Sequence, residues 1–398
     1  MSAPTSGGTT PAQMTADPVP CTLTEFLLYF LKLGTVGFGG PIALAGAMQR
    51  DLVETRHWIS KQDYKEGLAL AQLMPGPLAA QLAIYLGWVR AGVLGATLVS
   101  VAFVLPSFLM VLVLSAAYVA YGGLSWMQGA FYGIGAAVIA IIGKSAHKLV
   151  TGTMGKDKLL WVVLAVSALT TAITEQEILW VFLLCGIGVM LVRAPPGRGK
   201  AAAVIPLPLW MLSGLSGPAT SGTLWQILWF FTSAGAVVFG SGLAIVPFLY
   251  GGVVDQYHWL TERQFLDAVA VAMITPGPVV ITVAFIGYLV AGPLGATLAA
   301  IGVFLPCYLL VIFPAPYFRR IASNAQVKHF VDGVTAAASG AIAGAAFVLG
   351  KRAIIDIPTA LVGLGTLTAL IYLKKIPEPV VILAAGIVGV ILQGMMGT

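Results

Sequence analysis

Long apolar stretches alternate with short polar ones through nearly the whole chain. The first apolar stretch covers 26–48, and a charged amphipathic stretch follows over 50–66. Apolar segments at 68–89, 93–120, 129–143, 159–173 and 178–192 complete the first half. The stretch 201–223 is apolar but interrupted by Pro206, Pro208, Gly214, Gly217 and Pro218, and reads as either a linker or an extra span. The second half repeats the order: 224–250, a polar stretch to Asp267, a segment around Pro276, then 293–318 and three more. With about 20 residues per crossing, the pattern predicts about 10–13 transmembrane segments. The fold class expected is an all-α polytopic membrane protein.

Composition agrees. Hydrophobic residues make up 59% of the 398, charged residues 9%, and mean hydropathy is +0.95. Soluble domains carry about 25% charge. The net charge of +6 lies in loops between apolar segments, so it reads as an orientation signal, and nucleic acid is not expected as a partner. Residues 1–20 are rich in Ser, Thr, Gly, Pro and Ala and lack Lys and Arg. They read as a disordered tail rather than a secretory signal. Cys21, Cys185 and Cys307 form no metal-ligand spacing, and neither a metal nor a cofactor is expected.

One short stretch occurs twice, as Leu73-Met74-Pro75-Gly76-Pro77 and Ile274-Thr275-Pro276-Gly277-Pro278. Proline and glycine break helices, and a broken helix in a bilayer survives only where protein or a wet cavity satisfies its backbone. Sliding the chain by 201 aligns these copies, and also Phe38-Gly39 with Phe239-Gly240 and His57-Trp58 with His258-Trp259. At an offset of 200, Leu94-Gly95-Ala96-Thr97-Leu98 meets Leu294-Gly295-Ala296-Thr297-Leu298, and Pro106 meets Pro306. The chain is therefore a duplication, with a first repeat over 21–200 and a second over 224–398.

Loop charge bears on orientation. Lys144, Lys148, Lys156 and Lys158 mark one inside loop; Arg193, Arg198 and Lys200 mark another. The uncharged loop 121–128 corresponds to 319–328, which carries Arg319, Arg320 and Lys328. Arg90 has no charged counterpart near Val290. The expectation is an inverted repeat, against which only Lys351 and Arg352 argue. The Phe-Gly segments read either as spans or as re-entrant hairpins.

A Pro-Gly-Pro break makes two half-helices, and the one that follows opens with free N–H groups and a positive dipole end suited to an anion. The candidate binding residues are Pro75, Gly76, Pro77 and Gln81 in one copy and Thr275, Pro276, Gly277 and Pro278 in the other. Gly39, Gly40, Gly240 and Ser241 allow close backbone approach and are candidate lining residues, with helix packing as the alternative. Lys32 reads as an intramembrane cation or as one that snorkels to the surface. Arg50 reads as an entrance charge or as part of an interfacial helix. Glu25 suits a helix start. No HExxH, GxSxG or Walker loop is present, so the chain is not expected to be an enzyme or an ATP-driven pump.

The ordered set Gly37-Phe38-Gly39-Gly40-Pro41, Arg56-His57-Trp58-Ile59-Ser60, Leu73-Met74-Pro75-Gly76-Pro77 with Gln81, Gly87-Trp88 and Leu105-Pro106-Ser107 resembles the chromate ion transporter family in its two-domain form. The resemblance covers roughly 23–398. It implies a multi-pass permease of the bacterial inner membrane that exports chromate on the proton gradient, confers chromate resistance and has two domains of opposite topology. The implied partners are chromate or a similar oxyanion, the proton gradient and the lipid bilayer, with homo-oligomerisation left open. A permease for sulfate or another tetrahedral oxyanion is the alternative. The second copy departs from the first at Ser241-Gly242 and lacks counterparts to Lys32 and Arg50. The first half is thus the expected anion-facing side.

Overall fold

The computed structural model describes residues 19–38, 40–121, 125–155, 157–174, 179–194, 221–237, 239–240, 245–318, 324–354, 356–373 and 376–396. The expected tail (1–18 of it), most of the expected linker, Gly39 and Ser241 lie outside these.

Each repeat opens with two helical hairpins. In repeat one, α1 (Leu23–Val36) enters and α2 (Gly40–Met48) returns, running on into a wider π-helical turn over Gln49–Thr55. Tyr29 on α1 reaches Asp51 at 3.5 Å, and the Arg56 guanidinium lies over the Tyr29 ring. Twenty-two residues of straight helix would separate Tyr29 from Asp51 by about 33 Å, so the chain has folded back. Next, α3 (Lys61–Leu73) enters, and the first limb of α4 (Leu78–Tyr121) returns beside it. Gly67 abuts the Tyr85 ring, and the Tyr85 hydroxyl donates to Glu66 at 3.4 Å. The 68–89 segment is therefore an antiparallel pair of half-helices with Pro-Gly-Pro at its tip.

Helix α4 folds again at Ala91 and Gly92, whose φ values are −150° and +59°. Its two limbs then meet so closely that a Cβ added to Gly95 would sit 2.2 Å from the Gly87 carbonyl oxygen. The long limb, 93–121, crosses the molecule. The helices α5 (Ser125–Met154), α6 (Lys158–Thr174) and α7 (Leu179–Arg193) follow.

Repeat two runs in the same order. Its first hairpin is α8 (Ser221–Val237) with α9 (Ile245–Tyr250) and a second π-helical turn, Gly251–Gln256. The second hairpin is α10 (Glu262–Ile274), a 3-10 turn at Val279–Ile281, and α11 (Thr282–Ile312), which folds back at Ala291 and Gly292. Then come α12 (Ala325–Ala353), α13 (Ile357–Tyr372) and α14 (Glu378–Met396).

The duplication reaches the local chemistry. Thr22 and Glu25 form a capping box at the start of α1, as expected for Glu25, and Thr261 with Gln264 forms one at α10. Ser60 caps α3 at the matching place in repeat one. Such caps contribute about 1 kcal/mol each by satisfying otherwise orphaned N–H groups. His57 and His258 both adopt left-handed φ, at 54° and 52°, and so close the two π-helical turns alike.

The repeats exchange partners. Helix α5 packs on α13 and α14 of the other repeat, and α12 packs on α6 and α7. Close approach rests on small residues: a Cβ on Gly133 would lie 2.0 Å from the Ala385 carbonyl oxygen, and one on Gly340 would lie 2.3 Å from that of Leu164. Outward faces remain apolar, as at Ile173, which is 78% exposed, and face lipid in a membrane protein.

Candidate functional site

The hairpin tips meet at the centre, each against the other repeat. Gly76–Pro77 (β1) pairs in parallel with Phe239–Gly240 (β2), Gly76 opposite Phe239 and Pro77 opposite Gly240. In the mirror position the Gly277 N–H donates to the Gly37 carbonyl at 2.8 Å. Each Pro-Gly-Pro tip is thus closed by the Phe-Gly tip of the other repeat. Freed backbone groups at a helix break find partners there, which is what burial of such a break requires.

Glycine is demanded at both tips. Gly76 has φ +138° and Gly277 has φ +99°, conformations that a side chain disfavours. A Cβ on Gly277 would lie 2.0 Å from Ser107 Oγ, and one on Gly76 would lie 2.6 Å from Gln81 Nε2. Ser107, on the long limb of α4, also donates to the Gly34 carbonyl at 3.4 Å.

Two expected donors turn inward. Gln81 is fully buried and its Nε2 donates to the Pro75 carbonyl at 2.7 Å, which braces the tip. Its Oε1 is buried with no hydrogen-bond partner. Thr275 Oγ1 donates to the Val271 carbonyl at 2.7 Å within its own helix. The half-helices after Pro77 and Pro278 open with backbone N–H groups that have no partner within their own helix.

Pro75, Gly76, Pro77, Gln81, Gly240, Thr275, Pro276, Gly277 and Pro278 come together. Gly40 opens α2 at φ +74°. Lys32 is exposed on α1, and Arg50 is 66% exposed and paired with Asp51. Neither cation joins the tips.

Ser107, Tyr118 and Asp267 were not among the residues expected from sequence. Ser107 touches the second tip. The Tyr118 hydroxyl donates to Asp267 at 2.8 Å, joining α4 to α10. A signal for Asp267 existed: it is the one acid inside the otherwise apolar run 265–274.

Paired helical hairpins with broken tips closed by the other repeat, set among apolar helices, are the architecture of a two-repeat membrane transporter. The chromate transporter family model matches residues 24–190 and 225–390, one match per repeat. The chain belongs to that family. It is 58% identical to the chromate transport protein of Cupriavidus metallidurans, over 98% of both chains. It is 57% identical to a probable chromate transport protein of Synechococcus elongatus, over 93% of this chain and 95% of that one. Identity to the chromate transport protein of Pseudomonas aeruginosa is 32%, over 96% and 95%. No solved structure matches the chain.

Proposed function

We propose that the protein is a secondary active transporter that exports chromate across the bacterial inner membrane, driven by the proton gradient, and so confers chromate resistance. The observation that carries this reading is the reciprocal closure of the tips, Gly76–Pro77 on Phe239–Gly240 and Gly277 on Gly37. Two half-helix starts then face one central place from different repeats, an arrangement suited to a small dianion. Chromate as the substrate is supported by the relatives named for its transport. Export, proton coupling and the inner membrane follow from the family resemblance of the sequence motifs.

We infer further that the repeats are inverted. Thr97, near the start of α4's long limb, meets Tyr308, near the end of α11. Ser107 lies at the tip Gly277, while Tyr118, about 16 Å further along α4, lies at Asp267, about 15 Å back from that tip. Arg263, one turn further back, donates to the Gln128 carbonyl at the start of α5. These levels support a second-repeat hairpin entering from the face opposite the first. The charge difference between 121–128 and 319–328 supports the same orientation.

The test is uptake of labelled chromate into everted vesicles, with and without a proton gradient and with sulfate as competitor. Gradient-dependent uptake that survives equimolar sulfate is expected. Absence of gradient-dependent uptake would overturn the export reading, and full suppression by sulfate would reassign the substrate.

A further inference from the structure

Asp267 is 5% exposed and is the only charged side chain among the buried polar ones of the described residues. The others, such as Gln81, Ser107 and Thr282, cannot take up a proton near neutral pH. An acid held inside a membrane protein is costly, and such residues mark ion and proton paths. Among the described residues, a direct hydrogen bond reaches it from the other repeat: the Tyr118 hydroxyl donates at 2.8 Å. The Tyr118 ring is itself held edge-on by Phe131 of α5 and Phe285 of α11, with centroids 5.4 and 5.2 Å away.

Helix α10 packs against α4, α5, α9, α11 and α14. Among the described residues, the titratable or charged groups acting on Asp267 from these elements and its own are Tyr118 and Arg263. Arg263 is exposed one turn nearer the start of α10. Ten residues in the other direction lies the tip, Gly277.

The matching position in repeat one is built differently. Glu66 is only partly buried, and Gln62 and Tyr85 of its own hairpin donate to it at 2.8 Å and 3.4 Å. The counterparts of Arg263 and Tyr118 are Gln62 and Phe318.

We propose that Asp267 is the proton-binding residue of the transport cycle and that Tyr118 reports its state to the other repeat. This rests on the proton-driven reading above. Ionised Asp267 accepts a charge-assisted hydrogen bond from Tyr118, tying the α10 arm and its tip to α4. One proton from water converts the carboxylate to the acid, the charge assistance is lost and the tie weakens. Release of that proton restores it.

The experiment uses the purified full chain in proteoliposomes, with two readouts: chromate–chromate exchange against pH without a gradient, and accumulation driven by an imposed pH gradient. In D267N, accumulation should fall at least tenfold, and the exchange that remains should lose its pH dependence. Y118F keeps the acid and removes its donor. Its transport midpoint should move up by about one pH unit, a tenfold change in proton affinity. A purely structural role for Tyr118 would lower activity without moving that midpoint. Gradient-driven accumulation by D267N equal to the unmodified protein would overturn the proposal. So would an unmoved midpoint in Y118F, which also decides the matter should D267N fail to fold. If the unmodified protein exchanges chromate but ignores the gradient, the proton site falls while transport stands. If it exchanges none, both readings fall together.

Discussion

Gly277→Ala tests the reciprocal closure directly. The new Cβ would sit 2.0 Å from Ser107 Oγ and 3.1 Å from Ser107 Cβ. Overpacking of that kind costs about 1–3 kcal/mol. The backbone at φ +99° adds a second cost, about 1–3 kcal/mol for a residue with a side chain. The sum is about 2–6 kcal/mol, a large share of a typical folding free energy. The two parts are separable. Ser107→Ala removes the nearer clashing atom but leaves the backbone strain. On its own it gives up one long hydrogen bond to Gly34, worth about 0.5–1.5 kcal/mol. The double variant should therefore recover about 1–3 kcal/mol relative to the sum of the single effects. The assay is an unfolding titration of purified protein in mild detergent for all four members of the cycle, paired with chromate uptake in vesicles. Gly277→Ala within about 0.5 kcal/mol of the unmodified protein, or strict additivity in the cycle, would refute the contact between the second tip and α4.

Replacing Pro75, Gly76 and Pro77 together by alanine should abolish chromate uptake while membrane insertion persists; unchanged uptake would remove this tip from the site. Gly95→Ala and Gly295→Ala each drive a Cβ to within 2.2 Å of a carbonyl oxygen across a fold-back, and both should sharply lower the yield of monodisperse protein in detergent. Asp356 caps α13 through the Thr359 N–H and accepts a hydrogen bond from Tyr132 on α5 of the other repeat. Desolvation pushes its carboxyl up, but the Tyr132 and Thr359 donors outweigh this and hold it below the ordinary range. The stabilisation is then present above the ordinary carboxylate value near pH 4 and lost as pH falls through the lower folded value. Asp356→Ala should cost about 1 kcal/mol at neutral pH and flatten the acid limb of an unfolding profile. Residues 1–200 and 201–398 produced as separate chains should restore chromate uptake only when made together, because each tip is closed by the other half.

The duplication was legible because identical residues recur at a fixed offset, and the caps at Ser60 and Thr261 fall where the aligned copies put them. Broken half-helices were legible too, since proline and glycine leave no other choice. The turn-back at Gly76 was not. Hydropathy over 68–89 is the same whether the segment crosses the bilayer or folds at its middle, and what distinguishes them is Gly67 against Tyr85, a contact with no local signature. Thr275 was readable as a donor, yet its hydroxyl is taken up by Val271, as helical threonines commonly do. Tyr118 and Asp267 stand 149 positions apart, and Phe318 in place of a second tyrosine hides the pair from any comparison of the repeats.

The long limb of α4 is where these observations join. Phe103 lies against Gly34 near the end of α1, Ser107 against the tip Gly277, and Tyr118 against Asp267. Eleven residues are almost a whole number of helical turns, so Ser107 and Tyr118 share one face about 16 Å apart. A single helix of repeat one therefore touches repeat two's hairpin both at its tip and at its buried acid. A change in the bond at Tyr118 acts on the same rigid pair of helices that positions Gly277. Gly277 is in turn bonded to Gly37, so a shift of this tip would be felt by the other repeat. Under the proposed cycle, coupling a proton at Asp267 to an anion at the tips would need no further moving part than a shift of the α10 arm on α4.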